Sequence, residues 1–253
     1  MTSRETVLIT GAARRIGRAI ALDFASRGWQ IGVHFNTSQS EAALLVREII
    51  EKGGNAAALQ ADLADATAVA GLIPGCAAAL GVPSCLVNNA SLFLHDTVAT
   101  LDARQWDLQL AVNLKAPVLL AQSFATHLPA QSRGNIINII DQRVWRPTPY
   151  FFSYSVAKAG LWWATQTLAQ ALAPRIRVNG IGPGPVLANA YQAPEEFERQ
   201  RTATPLGRGS TAEEIAAAIR FILDAPAMTG QMIALDGGQH LTWRMPDVTS
   251  PKA

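Results

Sequence analysis

The sequence VLITGAARRIG at residues 7–17 decides the fold, because an apolar run leads directly into a glycine-bounded turn and then a helix. Val7–Thr10 is predicted to be a buried strand and Ile16–Arg27 an amphipathic helix. Gly11 allows a tight turn, and Gly17 allows the new helix to pack closely on the sheet. Free N–H groups and the positive dipole at this helix start favour a phosphate. Because the middle glycine of G-x-G-x-x-G is absent, the turn alone is only a weak indication of a dinucleotide site.

Outward from this stretch, short apolar runs alternate with longer amphipathic ones along the whole chain. The other predicted strands are Ile31–Phe35, Ala56–Gln60, Cys85–Asn88, Asn135–Ile140, Arg177–Ile181 and Gln231–Leu235. The other predicted helices are Ser40–Lys52, Ala66–Ala79, Trp106–Leu128, Ser153–Leu172 and Ala212–Leu223. This alternation predicts an α/β fold, namely a Rossmann-type doubly wound sheet of seven parallel strands with helices on both faces. Pro74 lies inside one helix pattern, so we expect that helix to kink or divide.

No linker, repeat or charge run divides the chain, so residues 1–253 are predicted to form a single dinucleotide-binding catalytic domain. Residues 187–205 have no strong core pattern and follow the sixth strand. We expect them to cover a substrate at the carboxyl ends of the strands. Residues 244–253 are predicted to be a tail.

Composition excludes several function classes. Twenty-one Lys and Arg against 19 Asp and Glu give a net charge of only +2, too balanced for a general nucleic-acid surface. Two cysteines and four scattered histidines form no metal-ligand pattern, so no metal is expected. No apolar run approaches the roughly 18 residues of a membrane span. We therefore expect a cytoplasmic protein without a membrane or nucleic-acid partner.

The end of the second strand indicates which dinucleotide the chain prefers. It reads His34-Phe35-Asn36-Thr37-Ser38, with no acid before Glu41. An acid at this position holds the ribose hydroxyls of the unphosphorylated cofactor and repels a 2′-phosphate. The amide and hydroxyl donors of Asn36, Thr37 and Ser38, together with Arg14, would instead hold a 2′-phosphate. The pattern favours binding of NADPH over NADH. The alternative is that these residues form an ordinary solvated loop.

Tyr154 and Lys158 lie four residues apart, on one face of a predicted helix. An unperturbed tyrosine has a pKa of about 10, and a nearby ammonium lowers it, so the pair suits general acid–base chemistry. The alternative is a buried tyrosine beside a lysine whose ammonium reaches solvent.

Together with these features, several motifs in order resemble the short-chain dehydrogenase/reductase family over about residues 5 to 241. The motifs are TGAARRIG (10–17), NNAS (88–91), Asn113, YSVAK (154–158), RVNGIGPG (177–184) and LDGG (235–238). The resemblance implies that Tyr154 donates a proton, while Lys158 lowers its pKa and holds the nicotinamide ribose. It also implies that Asn113 supports a water-linked proton relay and that Pro183 and Gly184 flank the nicotinamide. Family precedent implies a homotetramer.

Two departures from the common family pattern point to one branch. Asp141 stands thirteen residues before Tyr154, where most members carry a serine that binds the substrate carbonyl. An ionised Asp repels an oxyanion, whereas a carboxyl group suits a nitrogen heterocycle, because it can share a proton with Tyr154 or accept from ring and amino N–H groups. With Arg15 in the turn and Phe93 after NNAS, the chain resembles the pteridine reductases. That branch implies that Phe93 stacks the pterin, that Arg15 contacts cofactor phosphate and ligand, and that Ser91 lines both sites.

The resulting site prediction comprises three sets of residues. The predicted catalytic residues are Asp141, Tyr154, Lys158 and Asn113. The predicted cofactor-binding residues are Gly11, Arg14, Arg15, Ile16, Gly17, His34, Phe35, Asn36, Thr37, Ser38, Asp62, Leu63, Asn89, Ala90, Ser91, Tyr154, Lys158, Pro183 and Gly184. The predicted substrate-binding residues are Arg15, Ser91, Phe93, Asp141 and Tyr154.

Several of these side chains have ordinary alternatives. Asp62 suits an adenine contact or a helix N-cap, Phe93 suits core closure, and Asp141 suits a loop cap. Arg143 either pairs with Asp141 or faces solvent. A further group of apolar residues borders the expected substrate or simply packs: Trp145, Tyr150, Leu187 and Tyr191.

The leading hypothesis is NADPH-dependent reduction of a dihydropterin or dihydrofolate to its tetrahydro form. One alternative keeps the fold but reduces a carbonyl, such as a 3-oxoacyl thioester, a sugar or a cyclic ketone. It requires Asp141 to be protonated or turned away. Another is a non-catalytic NADP(H)-binding sensor, against which the complete set of Asn113, Tyr154 and Lys158 argues.

Overall fold

The computed structural model describes residues 4–188 and 192–243. Its strands are β1 (Thr6–Ile9), β2 (Gln30–Phe35), β3 (Asn55–Gln60), β4 (Cys85–Asn88), β5 (Gly134–Ile139), β6 (Ile176–Pro183) and β7 (Met232–Leu235). Its α-helices are α1 (Arg15–Ser26), α2 (Gln39–Glu51), α3 (Ala66–Leu80), α4 (Ala103–Leu110), α5 (Ala116–His127), α6 (Phe152–Leu172), α7 (Pro194–Thr202) and α8 (Ala212–Asp224). The strands form one sheet in the order β3-β2-β1-β4-β5-β6-β7, with every neighbouring pair parallel. The predicted doubly wound α/β fold is confirmed.

Two apolar cores lie on opposite faces of this sheet. Adjacent residues of β1 show why, because Val7 packs into one core and Leu8 into the other, both fully buried. Phe24 of α1 lies in the first core, and Phe124 of α5 lies in the second. The strands are apolar on both faces because helices cover both of them.

The strand order reverses beside β1, which pairs with β2 on one side and β4 on the other. The chain segments that leave β1 and β4 therefore diverge to opposite faces of the sheet. In open parallel sheets this arrangement leaves a crevice at the carboxyl ends of the two strands, where ligands bind. Residues 10–17 and 89–93 form its walls.

Helix α3 runs unbroken from Ala66 to Leu80 through Pro74, so the expectation that it divides is wrong. Pro74 removes one backbone hydrogen bond, but the apolar side of the helix is buried in the second core, where Ile73 and Cys76 are fully buried. Tertiary packing outweighs the loss of one hydrogen bond.

The helix predicted over Trp106–Leu128 is interrupted by a π-helical turn, Ala111–Lys115, between α4 and α5. Pro117 has no N–H to donate to the carbonyl of Asn113, four residues earlier, so regular α-helical bonding is lost at this point. The wide turn contains Asn113, whose side chain is fully buried.

The segment predicted to cover the substrate contains an unpredicted helix, α7, which begins at Pro194. Tyr191 and residues 244–253 lie outside the described residues. Within the described ranges no helix is long and apolar enough to cross a membrane.

Candidate functional site

The turn after β1 packs so tightly that its glycines have no room for a side chain. A Cβ added to Gly17 would lie 2.2 Å from the carbonyl oxygen of Gly11 and 2.6 Å from Nδ2 of Asn89. Gly11 has a φ of +61°, in the left-handed region that favours glycine. The first residue of α1, Arg15, also adopts a positive φ of 56°. The turn therefore brings backbone N–H groups close to the start of α1.

Two polar side chains hold this turn in place. The Gly11 N–H donates to Nδ1 of His34 at 3.0 Å, and Nε2 of His34 lies 3.1 Å from the carbonyl oxygen of Ala61. Burial lowers the pKa of His34 to about 4, so the ring is neutral and these partners assign its proton to Nε2. Nδ2 of Asn89 donates to the carbonyls of Thr10 at 2.9 Å and Gly11 at 3.1 Å.

A cavity of about 620 Å³ lies between this turn and the carboxyl ends of β2, β3 and β4. It is lined by these predicted cofactor-binding residues: Gly11, Arg14, Arg15, Ile16, Gly17, His34, Phe35, Asn36, Thr37, Ser38, Asp62, Leu63, Asn89, Ala90 and Ser91. The sequence analysis missed four others that line it, namely Ala13, Leu92, Leu108 and Val112. Leu108 and Val112 are spaced as one face of a helix, which is the signal that would have found them.

Asp62 lies on the wall of this cavity and does not cap α3. Its carboxylate accepts from the N–H of Ala64 at 3.0 Å, whereas Asp65 is the N-cap and accepts from Thr67. The N-cap alternative for Asp62 is therefore wrong.

A second cavity of about 520 Å³ adjoins the first, and both are lined by Arg14, Arg15, Ile16, Asn89 and Ser91. The second cavity brings together the predicted residues Phe93, Asp141, Tyr154, Lys158, Pro183 and Gly184, whereas the predicted catalytic residue Asn113 lines neither cavity. The two cavities form one groove along the carboxyl edge of the sheet.

The first turn of α6 places Tyr154 against Asp141 on the floor of the second cavity. Oη of Tyr154 donates to Oδ2 of Asp141 at 2.8 Å, and Oδ1 of Asp141 accepts from the backbone N–H of Arg143 at 2.8 Å. Asp141 thus caps its own loop and contacts Tyr154 at once. Nζ of Lys158 donates to the carbonyl of Ile139 at 2.8 Å and lies 5.7 Å from the centre of the Tyr154 ring.

Burial dominates the titration of these three groups. It raises the pKa of Asp141, an effect that its hydrogen bond from Arg143 and nearby cations oppose. Burial and then the Asp141 charge raise the pKa of Tyr154 well above its usual value, so the net shift is opposite in direction to the lowering expected from a nearby ammonium. Burial lowers the pKa of Lys158 to about 8. Tyr154 is a neutral phenol at neutral pH and holds a proton that it can donate.

Asn113 anchors the loop that follows β4. Its Oδ1 accepts from Oγ of Ser91 at 2.9 Å and from the N–H of Leu92 at 3.0 Å. Its Nδ2 donates to the carbonyl of Leu92 at 2.8 Å. The amide therefore holds Ser91 and, beyond it, Phe93 at the edge of the groove.

Phe93 is half-buried in an aromatic cluster beside Tyr154. Its ring stacks on Phe151 with centroids 4.1 Å apart and meets the Tyr154 ring edge to face at 4.7 Å. One face of Phe93 is thus covered by Phe151, a contact that the sequence analysis did not anticipate. Phe93 still lines the cavity.

The two arginines of the glycine-rich turn diverge. Arg14 lines the first cavity and lies 3.6 Å from Glu41. Arg15 crosses the groove and donates to the carbonyls of Leu187 at 3.0 Å and Ala188 at 2.8 Å. The turn and the segment after β6 are therefore joined directly.

The remaining apolar candidates divide between the cavity and the surface. Leu187 lines the second cavity, but Trp145 packs against Trp162 and His240, and Tyr150 stacks beside His95. Unpredicted residues complete the cavity wall: Ile139, Ile140, Gln142, Pro185, Val186, Gln192, Phe197, Gln200 and Gln239. Phe197 and Gln200 lie one turn apart on α7, whose polar sequence carried no core pattern.

The start of α6 depends on a distant side chain. The residue before the helix, Phe151, has a φ of 55° and supplies no capping side chain. The carboxylate of Asp96, 1% exposed, accepts from the Ser153 N–H at 3.2 Å and from its hydroxyl. Asp96 therefore acts as the N-cap of the helix that carries Tyr154.

Replacing Asp96 with Ala is expected to lower the free energy of unfolding by about 2 kcal/mol, because the buried Ser153 N–H loses its acceptor. Urea denaturation followed by circular dichroism measures this change. Asp96→Asn is the matched control, since its amide oxygen keeps an acceptor and less than half of the loss is expected. Equal losses in both variants would show that the acceptor does not matter.

The chain is similar to known proteins over most of its length. A family model described as enoyl-(acyl carrier protein) reductase matches residues 11–240. A 3-oxoacyl-[acyl-carrier-protein] reductase from Staphylococcus aureus is 32% identical over 95% of this chain and 100% of its own length. Another from Synechocystis is 34% identical over 92% of this chain and 96% of its own.

One solved structure is more similar in sequence to this chain than these relatives are. FolM alternative dihydrofolate reductase 1 from Brucella suis, in complex with NADP, is 49% identical with a TM-score of 0.95. That match covers 98% of this chain and all of the other. A blue fluorescent protein from a metagenomic library, in complex with NADPH, is 29% identical with a TM-score of 0.87, over 92% of this chain and 97% of its own.

Proposed function

Because the chain belongs to the short-chain dehydrogenase/reductase family of NADP-dependent oxidoreductases, we propose that it reduces the C=N bond of a dihydropterin-type substrate with NADPH. The observation that carries this proposal is the hydrogen bond from Tyr154 to Asp141 on the cavity floor. A carboxyl group at this position can accept hydrogen bonds from the N–H groups of a heterocycle. The same group, when ionised, would repel the oxyanion that forms from a carbonyl substrate. The 49% identity with a dihydrofolate reductase over nearly the whole chain supports the same substrate class.

The glycine-rich turn fits a dinucleotide. The contact between Gly17 and the Gly11 carbonyl leaves no space for a side chain, and the free N–H groups of a helix start suit a phosphate. Asn36, Thr37 and Ser38 line the cavity at the end of β2, where an acid would select NADH. Two solved neighbours are complexes with NADP and NADPH, which supports the phosphorylated cofactor.

Bound NADPH supplies a hydride to a carbon of the substrate ring. Tyr154 donates its phenol proton to the ring nitrogen, so the C=N bond becomes CH–NH. The raised pKa of Tyr154 keeps this proton in place until the substrate binds. Asp141 orients the phenol through their 2.8 Å contact and accepts from substrate N–H groups. Lys158, buried beside the phenol ring, stabilises the negative charge that Tyr154 develops.

Asn113 has a supporting role in this proposal. The Asn113 side chain holds the loop at Ser91 and Leu92. The backbone carbonyl of Asn113 lacks its usual helical donor, because Pro117, four residues later, has no N–H. That carbonyl is a suitable acceptor for a water that returns a proton toward Lys158 and Tyr154.

A second candidate is a 3-oxoacyl thioester reductase, because curated relatives at 32–34% identity carry that activity in their names. Asp141 argues against it, since a carbonyl reaction there requires the carboxyl to be protonated or turned away. A sensor that binds NADP(H) without turnover is the remaining alternative, and it has no use for the Tyr154–Lys158 pair.

A panel of substrates separates these candidates. Purified protein with NADPH is expected to oxidise the cofactor, followed by its absorbance, with dihydrobiopterin, dihydromonapterin or dihydrofolate and not with an acetoacetyl thioester. Turnover of the thioester alone would overturn the proposed function. Tight NADPH binding with no turnover of any substrate would favour the sensor.

A further inference from the structure

We propose that Arg143 binds a carboxylate on the substituent of the substrate, so that the site prefers a pterin ring with an acidic tail. The inference rests on the proposed function, because it concerns the same cavity. Arg143 lies in the short 3-10 turn Gln142–Val144 after β5 and lines the second cavity.

Aromatic rings fix the guanidinium of Arg143 in place. Its Cζ lies 5.2 Å from the centre of the Phe151 ring and 5.9 Å from that of Phe93. Both distances are within the range of cation–π contact. Nη1 donates to Oγ1 of Thr148 at 2.8 Å. A planar guanidinium held by its face keeps its edge N–H donors available for an anion.

Within the part of the chain that the structure describes, Arg143 forms no salt bridge, although its charge acts on the nearby carboxyl of Asp141 and opposes the effect of burial on the pKa of that group. Among the described residues its guanidinium comes within 4.0 Å of no carboxylate and donates no hydrogen bond other than that to Thr148. Other cations on the cavity wall are engaged: Arg14 with Glu41, Arg15 with two carbonyls, and Lys158 with Ile139. Arg143 is therefore a cation of this wall without a salt-bridge partner among the described residues, and the one hydrogen bond that its guanidinium donates there goes to Thr148.

Arg143 lies close to the proposed reacting groups, Asp141 and Tyr154. The anion that it binds is therefore expected to belong to the substrate and not to the cofactor. The backbone of Arg143 is bonded to Asp141, and its guanidinium lies over the same Phe93 ring that meets Tyr154. The glycine-rich turn that fits the cofactor phosphates belongs instead to β1 and α1. A ring seated at Asp141 and Tyr154 places its substituent near Arg143, and a carboxylate accepts a bidentate contact from arginine.

Equilibrium binding tests this inference separately from catalysis. Folate and biopterin carry the same ring, but only folate carries carboxylates, and each is titrated by calorimetry into the protein with NADP⁺ bound. We expect folate to bind at least about tenfold more tightly, since charge-assisted hydrogen bonds have about this effect. Arg143→Gln is expected to abolish the preference for folate. Arg143→Lys is expected to reduce it, because lysine keeps the positive charge but lacks the paired N–H donors of the guanidinium.

Arg146→Gln is the matched control, because Arg146 is an exposed arginine of the same loop that donates to the carbonyl of Gln239. The Arg146→Gln variant is expected to prefer folate over biopterin to the same extent as the wild type. Equal affinities of the wild type for folate and biopterin, or a preference that survives in Arg143→Gln, would overturn the inference. Either result combined with turnover of dihydrobiopterin leaves the proposed function standing. No binding of either ligand and no pterin turnover would overturn both.

Discussion

Replacing Tyr154 with Phe is expected to lower kcat for a dihydropterin about 10³-fold, because the variant removes the proton donor together with its hydrogen bond to Asp141 and keeps the aromatic ring. The Tyr154 ring is 6% exposed and meets Phe93 edge to face, and a phenylalanine ring preserves that contact. Burial and the Asp141 charge raise the pKa of Tyr154, so the wild-type residue is a protonated phenol across the neutral range. Steady-state kinetics with NADPH and dihydrobiopterin measure the loss.

NADPH affinity separates this role from a structural one. Tyr154→Phe is expected to change the Kd for NADPH, followed by cofactor fluorescence, by less than about threefold. Tyr150→Phe is the matched control, because Tyr150 is an exposed tyrosine near the same aromatic cluster and does not line the cavity. A Tyr154→Phe enzyme that kept more than a tenth of wild-type kcat would show that the proton comes from elsewhere.

Asp141→Ser is expected to lower kcat/KM for a dihydropterin about 100-fold with little change in NADPH affinity. The serine hydroxyl is too short to replace both carboxyl contacts, to Oη of Tyr154 and to the backbone of Arg143. It also removes the acceptor that we propose for substrate N–H groups. The kinetic parameters for dihydrobiopterin and the Kd for NADPH are measured in parallel.

Asp141→Asn is the control for charge, since it keeps the shape and one acceptor oxygen. We expect it to retain stability close to that of the wild type while losing most of the pterin turnover. If Asp141→Ser weakened NADPH binding as much as turnover, Asp141 would be a structural residue of its loop. A gain of thioester turnover in Asp141→Ser would add support for the role of the carboxyl in substrate choice.

The fold was predictable because local patterns along the chain agree with one another. Val7, Leu8 and Ile9 of β1 place apolar side chains on both faces of the strand, so they require a sheet covered on both sides. Where a local signal conflicts with packing, packing decides: Pro74 does not divide α3, because its apolar neighbours are buried. The helix α7 has no buried residues, so its sequence carried no pattern to detect.

Placement of the site residues was predictable to a lesser degree. Strand ends and the Y-x-x-x-K spacing predicted which residues meet, and the groove brings most of them together. The sign of the Tyr154 pKa shift was not predictable, because it depends on burial and on a carboxylate thirteen residues away. The stacking of Phe151 on Phe93 and the capping of α6 by Asp96 join segments that are far apart in sequence.

The sequence by itself determined the class of fold, the family and the chemical groups of the site, because periodicity and motif spacing are local properties. Only the tertiary structure decided how those groups are charged and oriented. Tyr154 retains its proton because burial withholds water from the phenolate, and Arg143 faces the cavity because two phenylalanine rings hold it there. Solvent exposure and contact between distant segments arise only when the chain is folded, so no local pattern reports them.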